Sequence, residues 1–103
     1  MTESEFHRAA DAQFERIEEA LAAVEALEVD REGSVLRIEC PDGSRIILSR
    51  QPPLREIWVA ARSGGFHYAW REGAWRDTRA GTELQAALGA ILAAQAGATL
   101  DWG

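Results

Sequence analysis

Glu3, His7, Asp11, Glu15, Glu18, Glu19, Glu25, Glu28 and Asp30 place nine possible metal ligands in the first third of the chain. Carboxylate oxygen suits hard cations such as ferric iron, and ferrous iron accepts oxygen together with an imidazole. On a helical wheel His7, Asp11, Glu15, Glu18 and Glu25 fall within a sector of roughly 80°, with Glu19 just outside it. His7 precedes Asp11 by one turn, a spacing that allows a two-ligand clasp. Like charges at Asp11/Glu15 and Glu15/Glu18 repel by a few tenths of a kcal/mol each, a cost that a bound cation or a basic partner relieves. Carboxylates spread over one face cannot enclose an ion, so the chemistry they offer is weak, water-rich and poorly selective binding. A solvated acidic face with no ligand is the plainer alternative, and early glutamates also favour the helix dipole.

The charge is unevenly placed. The 103 residues carry a net charge of −6. Residues 1–32 alone hold −7, and residues 33–103 hold +1. Such a balance predicts no nucleic-acid partner and no anionic membrane surface. All eleven basic residues are arginine, which removes lysine-based covalent chemistry. A single cysteine, Cys40, excludes an intrachain disulfide and a four-cysteine zinc site. No leader-like or membrane-spanning run is present, so the expectation is one soluble, cytoplasmic domain over residues 1–103.

The elements that must position these residues follow from periodicity. Phe6, Ala10, Phe14, Ile17, Leu21 and Val24 form one apolar stripe, and Thr2 with Glu5 has capping-box spacing. The stripe predicts a first helix that runs through Val24, and no proline or glycine interrupts residues 3–27. Alternation then predicts strands at 27–30, 35–40, 45–49, 56–61, 66–70 and 74–76, with turns at Gly33-Ser34, Pro41–Ser44, Ser63–Gly65 and Arg71–Gly73. Gln51-Pro52-Pro53-Leu54 cannot be regular ladder, because two prolines lack the donor. Thr82 is the expected cap of a second helix that ends at Gly97, with Leu84, Leu88, Ile91 and Leu92 as its stripe. Leu100 and Trp102 are expected to fold back onto the core. The predicted fold class is α+β, a two-layer sandwich with two helices on one face of an antiparallel sheet of five to six strands. The other face is left to water or to a partner, and Trp58 projects from it.

The segments SEFHRAAD, PDGSRIILSRQPPLREIWVAARSGGFHYAW and QAGATLDW resemble the frataxin family, most closely its bacterial branch. The most specific part is Gln51, the Pro52-Pro53 turn and Trp58, followed by Gly64-Gly65-Phe66-His67. The resemblance runs from about Ser4 to Trp102. It implies helices on one side of an antiparallel sheet. It further implies iron, Fe2+ or Fe3+, held weakly and reversibly on an acidic ridge of the first helix and first strand, with other divalent or trivalent cations able to substitute. The partner it implies is the cysteine desulfurase of iron–sulfur cluster assembly, and with it the cluster scaffold protein. Docking would use Glu18, Glu19, Glu28, Asp30, Gln51 and Trp58, and the chain would be a monomer unless loaded with iron. Ala22 and Ala23 stand where bacterial relatives often carry further acids.

Three readings remain open at this point. One is a non-enzymatic iron-binding protein that docks on the desulfurase. Another is a ferroxidase acting on ferrous iron. The third is an acidic adaptor that binds no metal. His67 reads as a structural or exposed histidine, Cys40 as a small buried hydrophobe, and Trp70 and Trp75 as core or sheet-edge packing.

Overall fold

The capping box forms at the start of the chain. Thr2 Oγ1 accepts from the Glu5 amide at 3.1 Å, and Glu5 Oε1 accepts from the Thr2 amide at 2.8 Å. The computed structural model describes every residue from Met1 to Gly103. Its elements are α1 (Glu3–Ala22), β1 (Glu28–Glu32), β2 (Val35–Glu39), β3 (Arg45–Gln51), β4 (Glu56–Ala61), β5 (Gly64–Arg71), β6 (Ala74–Asp77) and α2 (Leu84–Ala96). A short 3-10 turn, Pro52–Leu54, replaces ladder between β3 and β4.

α1 buries Phe6, Ala10, Phe14, Ile17, Ala20 and Leu21. It stops at Ala22, short of Val24, the last residue of the predicted stripe. The Val24 amide bonds back to Leu21 O at 3.0 Å, and the Leu27 amide to Val24 O at 3.2 Å. These three-residue closures tighten and end a helix. They swing Leu27 into the core, and they move Glu25 off the helix into the connecting turn. α2 begins one residue later than expected. The Thr82 carbonyl accepts from the Asp77 amide at 2.9 Å, which ties Thr82 to the end of β6. Glu83 is the cap instead, and its carboxylate accepts from the amides of Gln85 and Ala86. Gly97 closes α2 in the left-handed conformation, φ +63°.

The six strands form one antiparallel sheet in chain order, β1 to β6. The β4–β5 turn is Arg62-Ser63 alone, so Gly64 and Gly65 belong to β5 and not to the turn. Gly64 opens the strand at φ +140°, a value that favours glycine. Leu36, Ile38, Ile46, Leu48, Ile57, Val59, Tyr68 and Trp75 point to one face and join the buried side chains of both helices in a single cluster. Alternation leaves Arg37, Ile47, Ser49, Trp58, Ala60 and His67 on the open face. This is the predicted two-layer arrangement, with all six strands present.

Cys40 is buried in the core cluster, and Leu100 and Trp102 pack on its edge. Arg16 Nη2 clips the tail by donating to Trp102 O at 2.7 Å. Trp75 meets Phe6 edge-on in the core, whereas Trp70, its cross-strand partner, is 41% exposed. No helix is long and apolar enough to cross a membrane.

Tyr68, the one tyrosine of the chain, is 1% exposed. Burial first, and the nearby Asp77 and Glu83 carboxylates second, push its phenol up to about 12 from 10.0. Its folded pKa is raised, so the associated stability is intact below pH 10.0 and is lost as pH rises towards about 12. Ultraviolet titration should show no tyrosinate until the fold begins to fail. A reversible tyrosinate signal centred at the ordinary value, with secondary structure intact, would contradict the burial. In the same core, Leu88→Ala should cost about 2–5 kcal/mol in a urea unfolding curve.

Candidate functional site

The outward side of α1 lies beside β1, with an arginine pair between them and the core. Arg31 of β1 and Arg50 of β3 share the strand parity of Leu36 and Leu48, so both reach under the helix. Arg31 Nη1 donates to Glu18 Oε1 at 2.7 Å, and its Nη2 stands 3.6 Å from Asp11 Oδ1. Arg50 Nη2 donates to the same Asp11 oxygen. The buried Phe14 ring supports both guanidinium groups, at 5.3 Å from Arg31 and 4.9 Å from Arg50.

The two arginines differ in exposure. The Arg50 side chain is 7% exposed, while Asp11 is 53% exposed. Arg50 therefore needs Asp11 as counter-ion more than Asp11 needs Arg50. The Arg50 hydrogen bond, with the charges of Arg50 and Arg31 behind it, holds the Asp11 carboxyl below its usual range. Glu5, held by its Thr2 bonds, is lowered as well.

These contacts divide the predicted ligands. Asp11 and Glu18 are already bonded to arginine, and Asp30 accepts from Arg37 Nη1 at 3.2 Å. Arg8 and Arg16, on the helix itself, do little for the acids and form no ion pair with them. Arg31, Arg37 and Arg50 do much, which the wheel alone does not show. Glu3 lies 3.9 Å from His7 Nε2. Glu15 and Glu19 are exposed on α1, one turn apart, with no hydrogen-bond or ion-pair partner, and Glu28 is in the same state on β1. Glu25 is exposed in the turn, outside the helical sector assigned to it. Glu28, Asp30 and Glu32 face the open side of the sheet, whereas Arg31 faces α1, so the edge strand separates the two sets of acids. No three carboxylate, imidazole or thiol groups converge closely enough to hold an ion among them. What the surface can offer a cation is pairs: Glu15 with Glu19, and Glu3 with His7.

Trp58 is half-buried on the open face, not fully exposed. His67 shields it: the two rings stack with centroids 4.2 Å apart and 6° between planes. Glu56 Oε1 accepts from Trp58 Nε1 at 2.9 Å. Gln51 sits beside them, and its amide donates to Ser49 Oγ at 3.2 Å. Glu56, Arg31 and Arg50 are the residues that sequence reasoning passed over. Parity was the available signal, since Arg50 follows Leu48 by two, and Glu56 precedes Trp58 by two.

The family model for the Frataxin-like domain matches residues 1–98. The chain is 44% identical over 102 residues to the iron-sulfur cluster assembly protein CyaY of Paraburkholderia phymatum, covering 98% of this chain and 97% of that protein. It superposes on frataxin from Psychromonas ingrahamii, a member of the CyaY family, with a TM-score of 0.93 at 34% identity, covering 100% of this chain and 99% of the other. Trimeric frataxin from the yeast Saccharomyces cerevisiae, solved in complex with ferrous iron, matches with a TM-score of 0.66 at 28% identity over 82% of this chain and 78% of the other.

Removing the Asp11 carboxylate strands the Arg50 charge beneath α1. Asp11→Ala should cost about 1–3 kcal/mol in chemical unfolding, as for a buried donor left without its partner. Glu15→Ala should change stability by no more than about 0.5 kcal/mol, as for an unpaired surface group. The folded pKa of Asp11 is depressed, so its contribution is present above 3.8 and disappears as pH falls through the lower folded value. An acid-unfolding curve of Asp11→Ala should therefore lack part of the wild-type loss below that pH. Equal stability of the two variants at neutral pH would contradict the counter-ion role.

Proposed function

The chain belongs to the frataxin family, and we propose that it is a non-enzymatic iron-binding protein of iron–sulfur cluster assembly. In this reading it carries iron on the acidic surface of α1 and β1 and docks on the cysteine desulfurase, where the cluster scaffold protein also meets it. The observation that carries the reading is the set of exposed carboxylates without arginine partners, Glu15 and Glu19 above all, on the most acidic third of the chain. The relatives named as cluster assembly proteins, and the yeast frataxin solved with ferrous iron, support it.

Iron here is cargo. Two carboxylates one helical turn apart supply oxygen ligands on one side of the ion, and water fills the rest of the shell. Such a site binds weakly and exchanges readily, which suits delivery. Glu3 with His7 is a second pair, Glu25 extends the surface at the turn, and Glu28 adds a carboxylate round the β1 edge. Asp11, Glu18 and Asp30 take part only when an arginine lets go. Docking joins the acidic surface, including Glu18, Glu19, Glu28 and Asp30, to Gln51 and Trp58 on the open face. A basic partner surface would be steered by this charge, most strongly at low salt.

The ferroxidase reading is weaker, because oxidation at paired irons needs carboxylates that bridge them from several sides. The exposed pairs bind from one side only. The metal-free adaptor reading makes the same docking prediction but predicts no uptake of iron.

Anaerobic calorimetry with ferrous iron, together with an aerobic oxidation assay, separates the three. Glu15→Gln/Glu19→Gln should weaken binding by about tenfold, near 1.4 kcal/mol. Its stability should hold or rise by a few tenths of a kcal/mol as like-charge repulsion is relieved. Wild-type protein that takes up no iron would overturn the iron reading in favour of the adaptor. Aerobic oxidation of ferrous iron by wild type well above that by the double variant would favour the ferroxidase. Glu19→Arg, which leaves the Glu18–Arg31 pair intact, should weaken desulfurase binding at low salt, and unchanged binding would count against docking through α1.

A further inference from the structure

Ser49, Trp58 and His67 are successive cross-strand partners on the open face of β3, β4 and β5. Glu56 lies two residues before Trp58 and so on the same face. The indole and the imidazole lie parallel. One carboxylate oxygen, Glu56 Oε1, accepts the indole N–H at 2.9 Å and stands 3.7 Å from His67 Nδ1. Two groups from different strands thus meet one aromatic ring, one at its edge and one across its face.

We propose that Glu56 and His67 are positioning residues that hold Trp58 in a single docking-competent orientation. The inference rests on the reading that Trp58 anchors the partner. An indole on an exposed strand face would otherwise sample several staggered rotamers. Here the N–H edge is tied to Glu56, and one ring face is occupied by His67. A partner meets a ring already fixed, so the cost of immobilising it does not fall on the binding step. The arrangement is not a by-product of core packing. Both Glu56 and His67 lie outside the buried cluster, and neither makes any other side-chain hydrogen bond or ion pair. Trp58 is only half-buried, and its exposed part, with Gln51 alongside, is what a partner can touch.

The test measures binding to the cysteine desulfurase of the same organism for wild type, Trp58→Ala, Glu56→Ala, Glu56→Gln, His67→Ala and His67→Phe. Glu56→Ala and His67→Ala should each weaken binding by about fivefold to tenfold, approaching 1.4 kcal/mol. Glu56→Gln keeps an acceptor oxygen for the indole, and His67→Phe keeps a flat ring for the stack, so both should bind close to wild type. In a Trp58→Ala background, Glu56→Ala and His67→Ala should have no further effect, which a direct contact of either residue with the partner would not produce. Unfolding midpoints should stay within the spread of surface variants. The Trp58 indole N–H resonance should move in Glu56→Ala.

Normal binding by Glu56→Ala and His67→Ala, with Trp58→Ala impaired, would overturn the positioning role and leave the docking reading standing. Loss of binding by Glu56→Ala that persists without Trp58 would overturn it too, by making Glu56 a contact residue. Normal binding by Trp58→Ala would remove the docking reading and this inference together.

Discussion

A guanidinium buried beneath a helix has to have a counter-ion, and in this fold Asp11 supplies it to Arg50. Much of the acidic surface is organised by that requirement. Phe14 gives both arginines an aromatic floor, and its ring is held between helix and sheet by the core around it. Because Asp11 is committed, Arg31 turns mainly to Glu18, one end of the acidic stripe is neutralised from below, and β1 is tied against α1. The free carboxylates of α1 are then Glu15 and Glu19, which no arginine reaches. A stripe that looks continuous on a helical wheel is, in three dimensions, a structural half and a solvent-facing half.

This division bears on what the protein can do with iron. Ligands arranged in exposed pairs cannot match the enclosure of a storage or catalytic centre. In the proposed reading they hold an ion loosely enough to hand it on. The remaining acids are not idle, since their arginine partners keep a salt-sensitive reserve of charge next to the free ones. The open sheet face is a second, separate resource. It presents the Trp58 ring framed by Glu56, His67 and Gln51, on the side of the sheet away from α1. A partner engaging both regions must wrap the edge at β1, where Glu28 and Asp30 sit.

The fold was largely legible from the residues. Period-four apolar spacing placed α1, alternation placed all six strands, and the capping box at Thr2 formed as read. Errors arose where a local signal lost to a longer contact. α1 ended early because Leu27 is drawn into the core, and that removed Glu25 from the helix. Thr82 was the expected cap, but its carbonyl is tied to the Asp77 amide and Glu83 caps α2 instead. Gly64-Gly65 looked like a turn, yet a two-residue turn before them already satisfies the hairpin. The acidic surface was legible in composition and not in pairing. Arg50 and Asp11 are 39 positions apart, a separation that helix periodicity cannot bridge. Only extending the inward parity of Leu48 to Arg50, and of Leu27 to Arg31, would have revealed them.

The central claim is that arginine pairing, not position on the helix, decides which carboxylates are open to a cation. Side-chain carboxyl carbon resonances, followed during an anaerobic titration with ferrous iron, test it residue by residue. The account predicts that Glu15 and Glu19 broaden first, while Asp11, held by Arg50, stays sharp until well beyond one equivalent. Broadening of Asp11 together with or ahead of Glu15 and Glu19 would contradict it.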